Sequence, residues 1–414
     1  MSALVALTAL AAQTATPPAT ATPPTEQPAE PRAGQLTYVD LEAGVGYSSN
    51  PSQTLTNDQG QAFGRIAVHG VHTRYTERTT TILSGYAENV SYTGHFNSQQ
   101  SLSLSGHHDA AVSERLRLFG DVSASYTEGG QLDTRFLVIP GVPPLPGVIE
   151  IPPELLPPGS DFLSVTGHNY FFSAQGGGQL ALSPRDSMSF SGGVRRGVFR
   201  GTFEDTDYWS IPVSIAYDRQ VSARTTLGGR LSYVSTNYNG PGSFQTVTPQ
   251  VTAHVLLSER LTFSGAVGVS FATIDDGIDT SHSTGLAADA ALCQRGDRTQ
   301  FCARVAVDQQ TATAAGPSKS VSAGVDYSRT LDADSTVQFS LNADHYSRPV
   351  SFVTGPTFSR ANYYRAAAAY TRRFGGRLFG GVNLAARKLT ERGPDPKADI
   401  NASLFVRYRF GDVQ

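Results

Sequence analysis

The sequence predicts an all-β chain that closes into a transmembrane antiparallel up-and-down β-barrel of about 18 strands, and three observations carry that expectation. Apolar residues alternate with small polar ones in segments of about ten residues from Leu36 onward. Short turns recur along the same stretch. No run of 18 apolar residues, the length an α-helix needs to cross hydrocarbon, occurs anywhere in the 414 residues.

The alternation is clearest in Leu261, Phe263, Gly265, Val267, Val269 and Phe271, interleaved with Thr262, Ser264, Ala266, Gly268 and Ser270. Successive side chains of a strand point to opposite faces, so one face is apolar and the other small and polar. Leu116 to Tyr126, Trp209 to Tyr217, Leu227 to Tyr233, Val337 to Ala343 and Leu378 to Ala386 read the same way. A soluble sandwich would hide its apolar face against a second sheet. Here the small polar face suits a wet lumen, and Tyr47, Tyr126, Tyr217, Phe271 and Tyr408 stand near segment ends, where interfacial girdles lie.

Eight tight turns divide the segments: 76–78, 113–115, 183–186, 222–224, 258–260, 296–298, 332–334 and 375–377. With one strand at each terminus they give about 18 strands, and an even count leaves both termini on one side of the membrane. Short turns belong on the periplasmic rim and long loops outside. The one long interval holds two proline clusters, 139–146 and 151–158, where proline forbids sheet pairing, so 128–164 is expected to be an extracellular loop.

Residues 1–12 read as a secretory h-region without a basic n-region. Residues 13–35 form a Pro/Ala/Thr-rich periplasmic spacer, 36–410 the barrel and 411–414 a periplasmic tail. Net charge is −3, with a pI near 6.3, a mean hydropathy of −0.22 and no basic stripe, so nucleic acid is not an expected partner.

The C-terminal segment carries Ile400, Ala402, Leu404, Val406, Tyr408 and Phe410 on one face. It resembles the β-signal by which outer-membrane proteins are recognised for assembly, which implies the barrel assembly machinery as a partner and Leu404, Val406, Tyr408 and Phe410 as the signal. Gly411 to Gln414 follow the terminal aromatic, a departure from that pattern. At the other end, Gly44-Val45-Gly46-Tyr47-Ser48-Ser49-Asn50-Pro51 resembles the first strand of outer-membrane barrels found with exopolysaccharide export systems. That likeness implies an outer-membrane conduit for a secreted polysaccharide, with periplasmic export components as partners, and it carries no binding residues. The surrounding partners are outer-membrane lipids and lipopolysaccharide. A general diffusion or uptake porin is the alternative within the same class. A surface barrel acting through its loops is the alternative outside it, and an outer-membrane hydrolase is a third.

Signals for catalysis, a metal or a cofactor are weak. His107, His108 and Asp109, with His69 and His72, are the nearest to a cluster, but adjacent strand residues face opposite sides and cannot chelate one metal together. No enzyme, metal or cofactor is expected.

The lumen charges say more. Counting back from the turn at 375–377 sets Arg365 opposite Arg387, and like charges opposed on one face need a counter-charge, water or an anion. Asp289, Asp308, Asp326 and Asp344 are expected to point inward from four consecutive strands, making an acidic wall beside a basic one. With Asp297 and Arg298 as a two-residue hairpin loop, Cys293 falls opposite Cys302. Opposed β-carbons lie about 4.5–5.5 Å apart, so a disulfide is expected, formed in the oxidising periplasm and pinning this hairpin.

Overall fold

The computed structural model describes residues 34–51, 59–94, 98–128, 167–201, 207–240, 242–310, 318–347, 360–391 and 397–412. The readings of 1–33 and of the proline clusters lie outside them.

Eighteen antiparallel strands form one closed sheet. They are β1 (Gly34–Ser48), β2 (Gln61–Tyr75), β3 (Thr79–Tyr92), β4 (Gln99–Ala111), β5 (Leu116–Glu128), β6 (Gly167–Ala181), β7 (Asp186–Gly201), β8 (Tyr208–Ser222) and β9 (Thr225–Tyr238). The second half comprises β10 (Ser243–Leu256), β11 (Leu261–Asp275), β12 (Thr280–Arg295), β13 (Thr299–Gln310), β14 (Ser318–Thr330), β15 (Ser335–Ser347), β16 (Arg360–Arg373), β17 (Leu378–Glu391) and β18 (Asp399–Gly411). Each strand pairs with its sequence neighbours, and β1 pairs with β18, so no edge is left open. Every backbone group of the wall can then be satisfied within the sheet, the condition for crossing hydrocarbon. No helix among the described residues is long and apolar enough to span a membrane.

The tight turns join β2–β3, β4–β5, β6–β7, β8–β9, β10–β11, β12–β13, β14–β15 and β16–β17, all on one rim. β1 begins and β18 ends on that rim, while β5 ends and β6 begins on the other. β1 starts at Gly34, two residues before the alternation becomes visible, because Gly34 and Gln35 already pair with Tyr75 and Arg74. On the loop rim, Asp276 accepts backbone hydrogen bonds from Ile278 and Asp279 at 2.9 and 2.8 Å, which holds its carboxyl below the ordinary range.

Two prolines sit inside strands, Pro212 in β8 and Pro249 in β10. The β7–β8 ladder is interrupted between Gly192↔Val213 and Arg195↔Ser210, and the β10–β11 ladder between Val247↔Phe271 and Gln250↔Gly268. A missing N–H removes ladder bonds without adding a residue, so the register is the same on both sides of each gap.

The apolar faces point outward. Leu41, Val45, Ile211, Ile215, Val267, Phe271, Leu384 and Leu404 are all exposed on the outside of the barrel, as contact with lipid requires. Tyr217 and Tyr408 mark the turn side of this band, and Tyr47, Tyr126 and Phe271 the loop side. Inward apolar packing is concentrated near the loop rim: Phe171, Phe199, Tyr208 and Tyr238 form a chain of ring contacts with centroids 5.6, 6.2 and 5.9 Å apart, followed by Phe244 and Ile274.

Candidate functional site: a charge-paired lumen

Strand alternation fixes what faces the lumen. In β1 it is Tyr38, Asp40, Glu42 and Ser48; in β18 it is Asp399, Phe405, Arg407 and Arg409. Inward does not mean dry, because Ser105, Ser123, His254 and Arg304 all point inward and are exposed to solvent. Water therefore reaches the middle of the lumen on β4, β5 and β13, and its turn-side end on β10.

Arg365 and Arg387 are directly opposed on β16 and β17. The counter-charge comes from the next strand: Arg387 faces Asp399 of β18 and donates Nε and Nη2 to its Oδ2 at 3.0 and 2.7 Å. Asp399 is fully buried and also accepts from Ser48 Oγ and the Asn50 N–H, at 2.6 and 3.0 Å. The two arginines thus share a face with a carboxylate bound by three groups, and Arg365 itself is buried.

The aspartates all fall on lumen-facing register positions, but at three heights. Asp289 pairs with Ala306, Ala306 with Ser322 and Ser322 with Asp344, so Asp289 and Asp344 share one row. Asp308 stands opposite Ser320, one step nearer the loop rim, and Asp326 opposite Cys302, near the turns. They are also not an acidic wall. Arg230, three strands away on β9, reaches Asp289 at 2.9 Å while also donating to Gln250, and Arg304 reaches Asp326 at 3.1 Å. The small side chains of Ala266 and Gly268 between β10 and β12 leave room for the Arg230 span. Two of the four aspartates are thus paired locally, Asp289 with Arg230 and Asp326 with Arg304, and these pairs break up the expected acidic wall beside a basic one.

The densest part of this network lies beside the closing seam, and sequence reasoning missed it. Arg409 forks onto Asp40 with two hydrogen bonds of 2.8 Å and stacks over Tyr38, 3.9 Å from its ring centroid. Arg65 bridges Glu42 and Glu88 at 2.6 and 2.7 Å and donates to Tyr86 Oη, which in turn bonds Glu88. An Arg fork shared between two carboxylates is geometrically specific and ties β1, β2 and β3 together. The signal available in sequence was the inward charges on these strands, but their partners lie up to 369 residues apart.

Cys293 and Cys302 form a disulfide on the lumen side of β12 and β13, with Cα atoms 4.1 Å apart and Gly296 N–H donating to the Thr299 carbonyl across the turn. Leu404, Val406, Tyr408 and Phe410 lie on the lipid-facing side of β18, the last two rings in contact at 4.8 Å between centroids. His107 faces inward and bonds Asp121 at 2.7 Å, whereas His108 faces outward against Thr81; His69 and His72 are divided in the same way. Among the described residues no group of three or more metal-ligating side chains occurs.

A closed sheet, lipid-facing apolar band, two aromatic girdles and a polar, wet interior decide the setting. The chain is an outer-membrane β-barrel. No family model matches the sequence, and no curated protein matches it. Solved structures similar in layout include the FrpB iron transporter from Neisseria meningitidis (F5-1 variant), at 9% identity and a TM-score of 0.45 over 87% of this chain and 64% of that one. Another is OccK2 (OpdF) of Pseudomonas aeruginosa, at 9% identity and 0.43 over 91% of this chain and 98% of that one. The copper transporter OprC is a third, at 10% identity and 0.45 over 88% and 62%. The chain spans less than two thirds of the length of the iron transporter and of OprC. The strand pairings, not these likenesses, carry the description of the barrel.

Proposed function

We propose that this outer-membrane barrel is a channel for polar solutes, with no catalytic step. The observation that carries the reading is the solvent-exposed, charge-compensated lumen: inward Ser105, Ser123, His254 and Arg304 are open to water inside an 18-stranded wall. Barrels of 16–18 strands are wide enough for an aqueous passage. The test is conductance of the purified full-length chain in planar bilayers. Stepwise openings are expected, and a barrel that inserts without conducting overturns the proposal.

Export of an exopolysaccharide is the narrower reading, and one further feature favours a polyhydroxylated cargo. Ser84, Ser105, Ser123 and Ser173 follow one another across β3 to β6 in a single inward row, with Ser84–Ser105 and Ser123–Ser173 hydroxyls 2.6 and 2.7 Å apart. Hydroxyls both donate and accept, so such a row can exchange hydrogen bonds with a sugar chain at little cost. Neutral oligosaccharides should interrupt the ion current on the millisecond scale or slower. If salts pass and no oligosaccharide alters the current, the general diffusion porin is the better reading.

A further inference from the structure

The lipid-facing surface has an arginine that the lumen chemistry does not use. Arg196 lies in β7 on the outward side, with Phe190 exposed below it and Phe199, of opposite parity, buried inside. It pairs with Trp209 of β8 and its guanidinium stacks 4.7 Å from the centre of the indole. Arg200, four residues higher on the same parity, is neutralised by Asp207 at 3.2 Å, and the outward Arg219 near the turns lies 3.8 Å from Asp186. Among the described residues no carboxylate stands within ion-pair distance of Arg196.

Its height matters. Arg196 is ten residues above Asp186, the first residue of β7. At a rise of about 3.3 Å per residue and a tilt of about 40°, that places it roughly 25 Å up, the height of the apolar band. Below it the outward face is Val194, Phe190 and Met188; beside it in the same row are Phe172 and Trp209. Just above, Tyr126 and Tyr170 meet at 5.1 Å between centroids, and His168 stacks on Tyr126. Lys388 repeats the arrangement elsewhere, outward and ten residues above Leu378.

A cation without a protein counter-ion at the edge of hydrocarbon is costly unless an anion joins it from the membrane itself. That anion must belong to a molecule whose chains fill the apolar face below and whose headgroup meets flat rings above. The loop rim is the extracellular one, so the molecule sits in the outer leaflet. We infer that the outward patch of Arg196, Trp209, Phe172, Tyr126 and Tyr170 binds a phosphorylated glycolipid, its phosphate on Arg196 and its sugar faces on the rings. Indole and phenol rings suit the apolar faces of sugars, and a guanidinium suits phosphate through paired N–H donors.

Trp209 is the only tryptophan of the chain, so its emission reports on this patch directly. The experiment uses the full-length protein in phosphatidylcholine vesicles and adds, separately, lipid A with both phosphates, its dephosphorylated form, phosphatidylglycerol and inorganic phosphate. A saturable change in Trp209 emission is expected with phosphorylated lipid A alone. Arg196→Gln should weaken that binding about tenfold, as loss of one charge-assisted contact does, while Arg219→Gln leaves it unchanged. If Arg196→Gln does not assemble, Arg196→Lys keeps the charge without the fork and should weaken binding severalfold. An equal response to phosphatidylglycerol would make the site one for any anionic lipid, and an equal response to free phosphate one for a small anion. Either result, or unchanged binding in the Arg196 variants, overturns the inference.

Discussion

Arg387 donates two hydrogen bonds to one oxygen of Asp399, and through that contact a pair of opposed arginines becomes tolerable inside the barrel. Asp399 is the first residue of the last strand, and it also caps the Ser48–Asn50 end of the first one. One carboxylate therefore serves both the lumen charge and the join between the chain's two ends.

Replacing Asp399 with Asn should separate these roles. The substitution keeps the size and removes the carboxylate charge that Arg387 binds, and removing one partner of a buried pair costs about 3–5 kcal/mol. The expected result is a lower unfolding temperature in detergent together with reversal potentials shifted towards anions. A stable variant with unaltered selectivity would show that the pair is neutralised by something other than Asp399.

Removing both arginines has the opposite electrical sign. Arg365→Ala with Arg387→Ala deletes two positive charges and frees the Asp399 carboxylate, so the pore should turn towards cations. Bilayer recordings in a salt gradient measure this as a change in reversal potential. No change would mean that ions pass without sensing this side of the lumen.

Sidedness gives a separate test. The turn at Ser222–Thr225 lies on the rim where β1 begins and β18 ends, and the connection between Tyr238 and Ser243 on the opposite rim. An epitope inserted between Asn239 and Gly242 should bind antibody on intact cells, whereas one inserted at Ala223 should bind only after the outer membrane is opened. Surface labelling at Ala223 would invert the barrel.

The features legible in the sequence share one property: they are local to a hairpin. Arg365 opposite Arg387 and Cys293 opposite Cys302 both follow from counting back from a tight turn, because period-two alternation propagates the register without error when no bulge intervenes. The strand number followed for the same reason. What was not legible depends on offsets accumulated across several strands. The four aspartates take the lumen-side parity of their strands, but their heights differ because each hairpin starts at its own level, and the arginine that pairs with Asp289 comes from elsewhere: Arg230 is 59 residues away. The seam network is further out of reach. Asp40 and Arg409 meet only because the sheet closes, and a sequence pattern that proves closure still does not give the shear at which it happens. Arg65 illustrates the limit: its position on an inward face is clear from β2 alone, yet its choice of both Glu42 and Glu88 needs the registers of two pairings at once.

The disulfide makes the last prediction, and it separates stability from passage. Cys293 and Cys302 enclose the β12–β13 turn, nine residues apart in sequence, and face the lumen near the turn rim. Chain-entropy reasoning gives about 2.5 kcal/mol for closing so short a loop, less than for a long one. The hairpin has no other covalent tie, and its turn is held by the Gly296–Thr299 backbone hydrogen bond of 2.7 Å together with the side-chain link from Asp297 to Arg260 of the preceding turn at 3.1 Å. Denatured, unreduced protein should therefore show no thiol that can be alkylated, and two should appear after reduction. Cys293→Ser with Cys302→Ser should lower the unfolding temperature by a few degrees, the scale expected for a small loss spread over a large barrel. Single-channel conductance should not change, because two serines in place of the bridge keep the wall polar and of similar size. Two free thiols in the untreated chain would show that the bond does not form. An altered conductance in the double variant would show instead that the bridge shapes the lumen and does more than hold the hairpin.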